Sequence, residues 1–300
     1  MEGIADDVEL ALCRFILISK QEEDSPIFSL GRVQFALPSP LFSLSCTSNV
    51  LVLCVRGNPR PSPTATSGGS PPQLIRIDLD RPTEVENFEL PLPPPTPSRT
   101  GPTTPLHQVH VDPTGKHVLV STSTGENFYL YIGPLPSGLP SSSSARKAKP
   151  LNRLKGAIID SVSWAPISSS SSSSTSFSTR EILLGTASGQ ILETSLIDPA
   201  LSESSAFSIP VPGRSGPERY VKQLYTLPER QSISGLRYEV WGKRVAVVAT
   251  TQSRIVQLVG SLNGNSRKDE DGGMLEAALQ PYSSNQARPS ESHSGDIRRS

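Results

Sequence analysis

His107, His110 and His117 fall close together in the chain, and His107-x-x-His110 is a spacing that invites a metal reading. A zinc-type site needs three or four ligands converging on one point. Val109 and Val111 flank His110 in an alternating apolar pattern that predicts a strand. Residues three apart on a strand face opposite sides, so His107 and His110 cannot share a ligand. No cysteine or further carboxylate stands at ligand spacing, and no metal site is expected. The cysteines, Cys13, Cys46 and Cys54, are odd in number and form no C-x-x-C pair. They fit reduced cysteines of a cytosolic protein better than a zinc or disulfide framework.

Carboxylates offer the other route to chemistry. Asp6-Asp7 and Glu22-Glu23-Asp24 are paired, but they precede the first clear strand unit and read as a solvated acidic segment. Acid/base catalysis needs groups held in a pocket. Asp112 opens the sequence Asp112-Pro113-Thr114-Gly115, where its side chain is expected to cap the amides of its own turn. Neither a G-x-S-x-G elbow, a P-loop nor a G-x-G-x-x-G is present. The expectation is a protein with no catalytic residue, no cofactor and no enzymatic activity of its own.

One charged cluster remains. Arg146, Lys147, Lys149, Arg153 and Lys155 bring five positive charges with no acid among them. They form a candidate contact for an acidic partner or for anionic lipid, where each basic residue near the surface contributes roughly 1 kcal/mol. The competing reading is a solvated loop entering a strand. Over the whole chain, Lys and Arg number 28 against 28 Asp and Glu, which removes the electrostatic reason to expect nucleic acid.

The elements that must position these residues are strands. Three hexapeptides match: Ser121 to Glu126, Gly185 to Gln190 and Ala249 to Arg254, each beginning 64 residues after the one before. Each reads small, Thr, small, any, small, polar. Apolar runs precede them (Val118 to Val120, Ile182 to Leu184, Val245 to Val248), and alternating runs follow them (Phe128 to Ile132, Ile191 to Thr194, Ile255 to Val259). Such pairs of short β-branched runs around a small-residue turn predict hairpins. A further strand precedes each hairpin, at Val109 to Val111, Val162 to Trp164 and Leu236 to Val240. A weaker first copy runs through Leu41 to Ser45, Val50 to Val55 and Leu74 to Asp78. Val85 to Leu90 and Ala206 to Ile209 are candidates for a fourth strand. Sheets of this size repeated in series make a propeller. The predicted fold is therefore all-β, a partial β-propeller of about four blades.

Between the strands lie inserts rich in Pro, Ser and Gly: 57–72, 91–105, 134–150 and the serine run Ser168 to Ser174, a candidate phosphorylation tract. They cannot bury enough surface to order themselves and are expected to be disordered. The apolar stretch Leu10 to Ile18 follows acidic residues and is too short to span a bilayer, so it reads as a buried strand or the start of one. The expected division is an amino-terminal segment over 1–24, the partial propeller over 25–262, and a disordered polar tail over 263–300.

With those units in view, Val109-His110-Val111-Asp112-Pro113-Thr114-Gly115 and Ser161-Val162-Ser163-Trp164 resemble the amino-terminal propeller of the vacuolar protein sorting-associated protein 18 (deep orange) family. So do Ile182-Leu183-Leu184-Gly185-Thr186-Ala187-Ser188-Gly189-Gln190, Val248 to Arg254, Pro26-Ile27-Phe28 and Leu74 to Leu79, in order over roughly 25 to 260. The resemblance implies a propeller scaffold within a HOPS- or CORVET-type tethering subunit, acting in endosome-to-vacuole sorting, vesicle docking and membrane fusion. It implies other tethering subunits as partners, and a cytoplasmic location, peripheral on the late endosome or vacuole. Family members continue into an α-solenoid and a RING-type zinc domain. No Cys/His cluster in this sequence could form that RING, so zinc binding and ubiquitin-ligase activity do not carry over. The alternative function is a WD-like adaptor for peptides or proteins, for which a regular period near forty residues would be expected instead.

Overall fold

Short β-branched and aromatic runs, separated by Gly-, Pro- and Asn-bearing turns, pair as antiparallel strands along the chain. The computed structural model describes residues 7–15, 28–47, 49–58, 69–95, 105–135, 146–166, 177–198, 216–262, 275 and 278–279, with side chains from residue 37 onward.

A hairpin of β1 (Asp7–Phe15) and β2 (Phe28–Ala36) comes first. The apolar stretch near residue 10 is thus a strand, as its composition predicts. Three four-stranded sheets follow. The first holds β3 (Leu41–Thr47), β4 (Val50–Val55), β5 (Gln73–Asp78) and β6 (Arg81–Glu89), in that order. The second holds β7 (Leu106–Val111), β8 (His117–Thr122), β9 (Asn127–Tyr131) and the short β10 (Lys149–Pro150). The third is β11 (Ile159–Ser163), β12 (Ile182–Thr186), β13 (Gln190–Leu196) and β14 (Glu218–Thr226). The fourth sheet has three strands, β15 (Gly235–Trp241), β16 (Arg244–Thr250) and β17 (Ile255–Ser261). Within each sheet, strands adjacent in sequence are paired.

The three-strand unit is correct but short by one strand in three sheets. β6 lies where a fourth strand is expected. In the third sheet that place is taken by Glu218–Thr226, while Ala206 to Ile209 lies outside the described residues. β14 escapes a sequence reading because Glu218, Arg219, Lys222 and Gln223 dilute its apolar residues. The serine run Ser168 to Ser174 and the acidic residues Asp6 and Glu22 to Asp24 also lie outside the described residues.

The repeated hexapeptides build one kind of turn twice. The Thr122 hydroxyl accepts from the Glu126 amide at 2.9 Å, and the Thr186 hydroxyl accepts from the Gln190 amide at 2.9 Å. Gly125 and Gly189 follow in the left-handed region, with φ of 76° and 78°. Only glycine enters that region without a Cβ penalty. Their carbonyls then accept from the chain entering the next structural level: Gly156 N–H to Gly125 O and Leu227 N–H to Gly189 O, both 2.8 Å. The third copy departs from the pattern. Its hydroxyl is that of Thr251, not the aligned Thr250, and it accepts from the Arg254 amide at 3.2 Å in a loop one residue tighter.

The chain divides into two compact units, Met1–Val118 with Ile132–Ala148, and Leu119–Tyr131 with Lys149–Ser300. In the first, Leu51, Leu53, Val55, Ile75 and Ile77 form a core on one face of the first sheet. In the second, Leu183 and Ile191 of the third sheet pack with Tyr238, Val245, Val247, Ala249 and Leu258 of the fourth. Leu275, Ala278 and Leu279, helical in conformation, belong to that same core and are 0–4% exposed. At these three positions the structure departs from the expectation of a disordered tail. Their i, i+3, i+4 spacing is a helical stripe that the polar composition around them hides.

Candidate functional site

Asp112 does what its turn predicts. Its Oδ1 accepts from the amides of Lys116 (2.6 Å) and His117 (2.7 Å), and its Oδ2 from the amide of Thr114 (3.0 Å). The carboxylate is consumed in holding the β7–β8 hairpin. Gly115 closes that turn at φ 66°, where a Cβ would press on Val50 Cβ at 2.8 Å and Thr47 Oγ1 at 2.9 Å. His117 is buried beside Asp112 at the start of β8, and burial lowers its pKa to about 4, against the opposing pull of the Asp112 charge. It is a neutral core residue near neutral pH. His107 and His110 stand three apart on β7, as expected, and are partly buried. Among the described residues no three His, Cys, Asp or Glu side chains gather as a metal set. Cys54 is buried in β4 and its thiol is pushed up to about 12 by desolvation, which removes it as a nucleophile.

The basic stretch is not one five-charge surface. Arg146 pairs with Glu86, which also takes Arg76 at 2.9 Å, and the Arg146 guanidinium stacks 5.6 Å above the Phe88 ring. Arg76 and Arg81 extend the network to Asp78 at 3.9 and 3.6 Å, all within the first unit. In the second unit Lys149 pairs with the fully buried Asp198. Arg153 is exposed, but its guanidinium donates to the Arg219 carbonyl at 3.2 Å and its amide to Glu218 Oε1 at 3.0 Å. Burial raises the Glu218 pKa, and these donors oppose the shift without reversing it. Lys147 and Lys155 are exposed.

The loop carrying Arg153 and Lys155 is held by local contacts. A 3-10 turn, Asn152–Leu154, seats the buried Leu154, and the Asn127 side-chain amide donates to the carbonyls of Leu154 and Ala157, each at 2.8 Å. The residues that sequence reasoning missed are therefore Glu86, Asp198, Glu218 and Asn127. Glu86 lies 60 residues from Arg146, and Asp198 lies 49 from Lys149. No local spacing signals either pairing. Asp112, Asn127 and Glu218, each buried, are thus spent on turns and loop amides of the chain itself.

A family model described as the Pep3/Vps18/deep orange beta-propeller domain matches residues 26–300. The chain belongs to the Pep3/Vps18/deep orange family. Its fold is that family's β-propeller, and the four sheets are blades. Among relatives, the vacuolar protein sorting-associated protein 18 homolog of Danio rerio is 26% identical over 251 residues, covering 82% of this chain and 21% of the relative. The vacuolar sorting protein 18 of Arabidopsis thaliana is 30% identical over 164 residues, covering 52% and 13%. The chain thus spans about one fifth or less of the length of these relatives. Among solved structures, the Cps50 (Swd1) β-propeller domain of Myceliophteria thermophila is 10% identical with a TM-score of 0.38, covering 75% of this chain and 58% of that one. Pep3/Vps18 membership agrees with the resemblance carried by Val109 to Gly115 and by the strands around Thr186, and it extends past the expected limit near residue 260.

Proposed function

We propose that this chain is a non-catalytic propeller scaffold of a HOPS- or CORVET-type tethering subunit. It serves vacuolar protein sorting by holding other subunits near the membrane before fusion. The observation that carries this reading is the family match over residues 26–300, on a chain whose most deeply buried titratable groups are engaged in its own fold. Asp112 holds a turn, Asp198 an ion pair and Glu218 a loop amide, which is what a frame for protein contacts requires and what a catalytic pocket would not leave. The location that follows is cytoplasmic, peripheral on the late endosome or vacuole and reached through protein partners. Within the basic stretch, the candidate contacts are Lys147 in the first unit and, separately, Arg153 and Lys155 in the second, because Arg146 and Lys149 are held by Glu86 and Asp198.

Affinity capture with the tagged chain, from cells expressing the tethering subunits, tests the reading. Retention of at least one subunit, weakened by charge reversal at Lys155 and Arg153, is the expected outcome. If neither this chain nor the longer gene product retains any tethering subunit, the assignment fails.

A further inference from the structure

The turn between the first two strands differs from blade to blade. In the first blade Asn49 donates to Asp80 at 2.7 Å. In the second, Asp112 spends its carboxylate on the turn's own amides, and Gly115 is packed against Val50 and Thr47. The fourth blade presents Trp241-Gly242-Lys243-Arg244 instead. Its register holds up to the Trp241–Arg244 pair, so Gly242 and Lys243 alone make the turn. Gly242 takes φ 59°, as a two-residue hairpin turn requires at its first position. The Lys243 carbonyl accepts from the Leu262 amide at 2.6 Å, which ties the tip to the end of β17. Around the turn lies open space: a Cβ on Gly242 would meet no atom within 4 Å beyond its chain neighbours. Trp241 is 60% exposed, and Lys243 and Arg244 are exposed beside it. The charge there is one-sided. From Trp241 to Leu262 the sequence holds Lys243, Arg244 and Arg254 and no acid. Arg254 is paired with Glu229, and Glu239, the nearest acid along β15, is paired with Arg237 at 2.6 Å. Two cations and an indole thus share one exposed hairpin end.

We propose that this tip is a membrane-contact hairpin, in which Trp241 enters the headgroup region of an anionic bilayer while Lys243 and Arg244 meet the lipid anions. An indole has an apolar body and one N–H donor, and it settles where hydrocarbon gives way to water. Lys and Arg lay their stems along the apolar side and keep their charges among the headgroups. Two cations near an anionic leaflet raise partitioning roughly tenfold or more, and salt screens the effect. A peptide partner draws its affinity from a groove or a sheet edge. The tip offers neither, since it consists of a bare glycine and a residue whose carbonyl is already bonded to Leu262. A bilayer asks only for an apolar group and positive charge at a projecting point. A single tip gives a weak, reversible contact, which is reinforced when several points of one assembly meet the same membrane. The inference goes beyond the scaffold reading, because it needs no tethering subunit, and it places lipid contact at the β15–β16 turn rather than on Arg153 and Lys155.

The test mixes the full chain with phosphatidylcholine vesicles that contain or lack phosphatidylserine. No tethering subunit is present, so the outcome is separate from that of subunit capture. Co-sedimentation with the phosphatidylserine vesicles, weakened by added salt, is expected together with a blue shift of tryptophan emission. Trp241→Ala should remove the shift, since the remaining Trp164 is half-buried in the chain. Lys243→Glu with Arg244→Glu should lower binding roughly tenfold or more. These positions are exposed, so the strand circular dichroism should stay unchanged. No binding, equal binding to both vesicle types, or binding indifferent to these variants overturns the inference. Binding that depends on the cations but leaves the emission of the unmodified chain unshifted would make the contact purely electrostatic and overturn the insertion of Trp241. Capture of a tethering subunit that Trp241→Ala abolishes, without vesicle binding, would assign the tip to a protein partner and overturn the membrane assignment. Should a variant lose its strands, brominated phosphatidylcholine in the phosphatidylserine vesicles decides on the unmodified chain. Quenched emission supports insertion of the tip, and unquenched emission overturns it.

Discussion

The third and fourth blades descend from the same repeat, yet they are buried differently. In the third blade, every residue of β12 and six of seven in β13 are buried, on both faces of the sheet. In the fourth, Val245, Val247, Ala249 and Leu258 are buried on one face. On the other face stand Trp241, Ile255 and Val259, at 60%, 73% and 46% exposure. Register places Val259 opposite Ala246 and Ile255 opposite Thr250, so the exposed apolar residues share a single side of the sheet. The lesson is that the repeat dictates the hairpin, whereas neighbours dictate the burial. An apolar residue in a propeller strand carries a stabilising role only where a second sheet covers it.

The largest effect should therefore come from a residue of the covered blade. Leu183→Ala leaves a cavity between the third and fourth blades and is expected to cost about 2–5 kcal/mol, read as a lower midpoint in urea denaturation. A cost below that of an exposed strand residue would mean that the two blades are not packed as described.

Burial also sets a pH dependence in the second blade, where β8 is covered along its whole length. His117 is neutral in the folded chain because its pKa falls from 6.5 to about 4, while in the unfolded chain it takes a proton near 6.5. The unfolded state thus binds more protons across that window. Stability is full above pH 6.5, declines as the pH falls towards 4, and levels off below it. The span corresponds to on the order of 3 kcal/mol. His117→Gln should flatten this part of the stability profile, and an unchanged slope would show that His117 is not the titrating group.

What a reader of the sequence can and cannot foresee follows the same division. The hairpins at Thr122 and Thr186 were legible, since the hydroxyl, the glycine and the flanking apolar runs all lie within a dozen residues. So was the role of Asp112, whose partners are Thr114, Lys116 and His117. The candidate basic surface was legible as composition and misleading as geometry. Arg146 and Lys149 meet carboxylates brought in from other strands, and charge counting over a window of ten residues contains no trace of Glu86 or Asp198. The short β10 was hidden for a related reason. Lys149–Pro150 has no strand pattern of its own and is fixed by its register against Tyr129 and Phe128. The burial of Leu275, Ala278 and Leu279 depends on two blades at once, and their helical stripe is masked in the sequence by the polar residues around it.

The hairpin turns offer a finer break between the third and fourth blades. Gly189 sits at φ 78°, and a Cβ there would lie 2.9 Å from the Arg230 Cα and the Gln231 carbonyl oxygen. Gly189→Val combines left-handed strain with that crowding and is expected to cost about 1–3 kcal/mol in thermal or urea unfolding. The corresponding loop of the fourth blade needs no left-handed residue at Gln252 or Ser253. Ser253→Val should change stability by less than about 0.5 kcal/mol. Equal costs at the two turns would mean that the tighter third copy is under the same backbone constraint, against the difference in their hydrogen bonds.

The smallest effect is the most discriminating. Ile255 is 73% exposed on the open side of the fourth blade, beside Thr250 rather than beneath another sheet. Ile255→Lys places a charge where water already reaches, so its stability change should stay within about 0.5 kcal/mol, against the several kcal/mol expected at Leu183. The same substitution should leave sedimentation unchanged if the face is solvated in the isolated chain. A loss of more than about 1 kcal/mol, or a shift from a larger species to the monomer, would show that Ile255, Val259 and Trp241 are covered in solution. The contrast between the blades would then be one of which surface does the covering, and the fourth blade would be a two-sided sheet like the third.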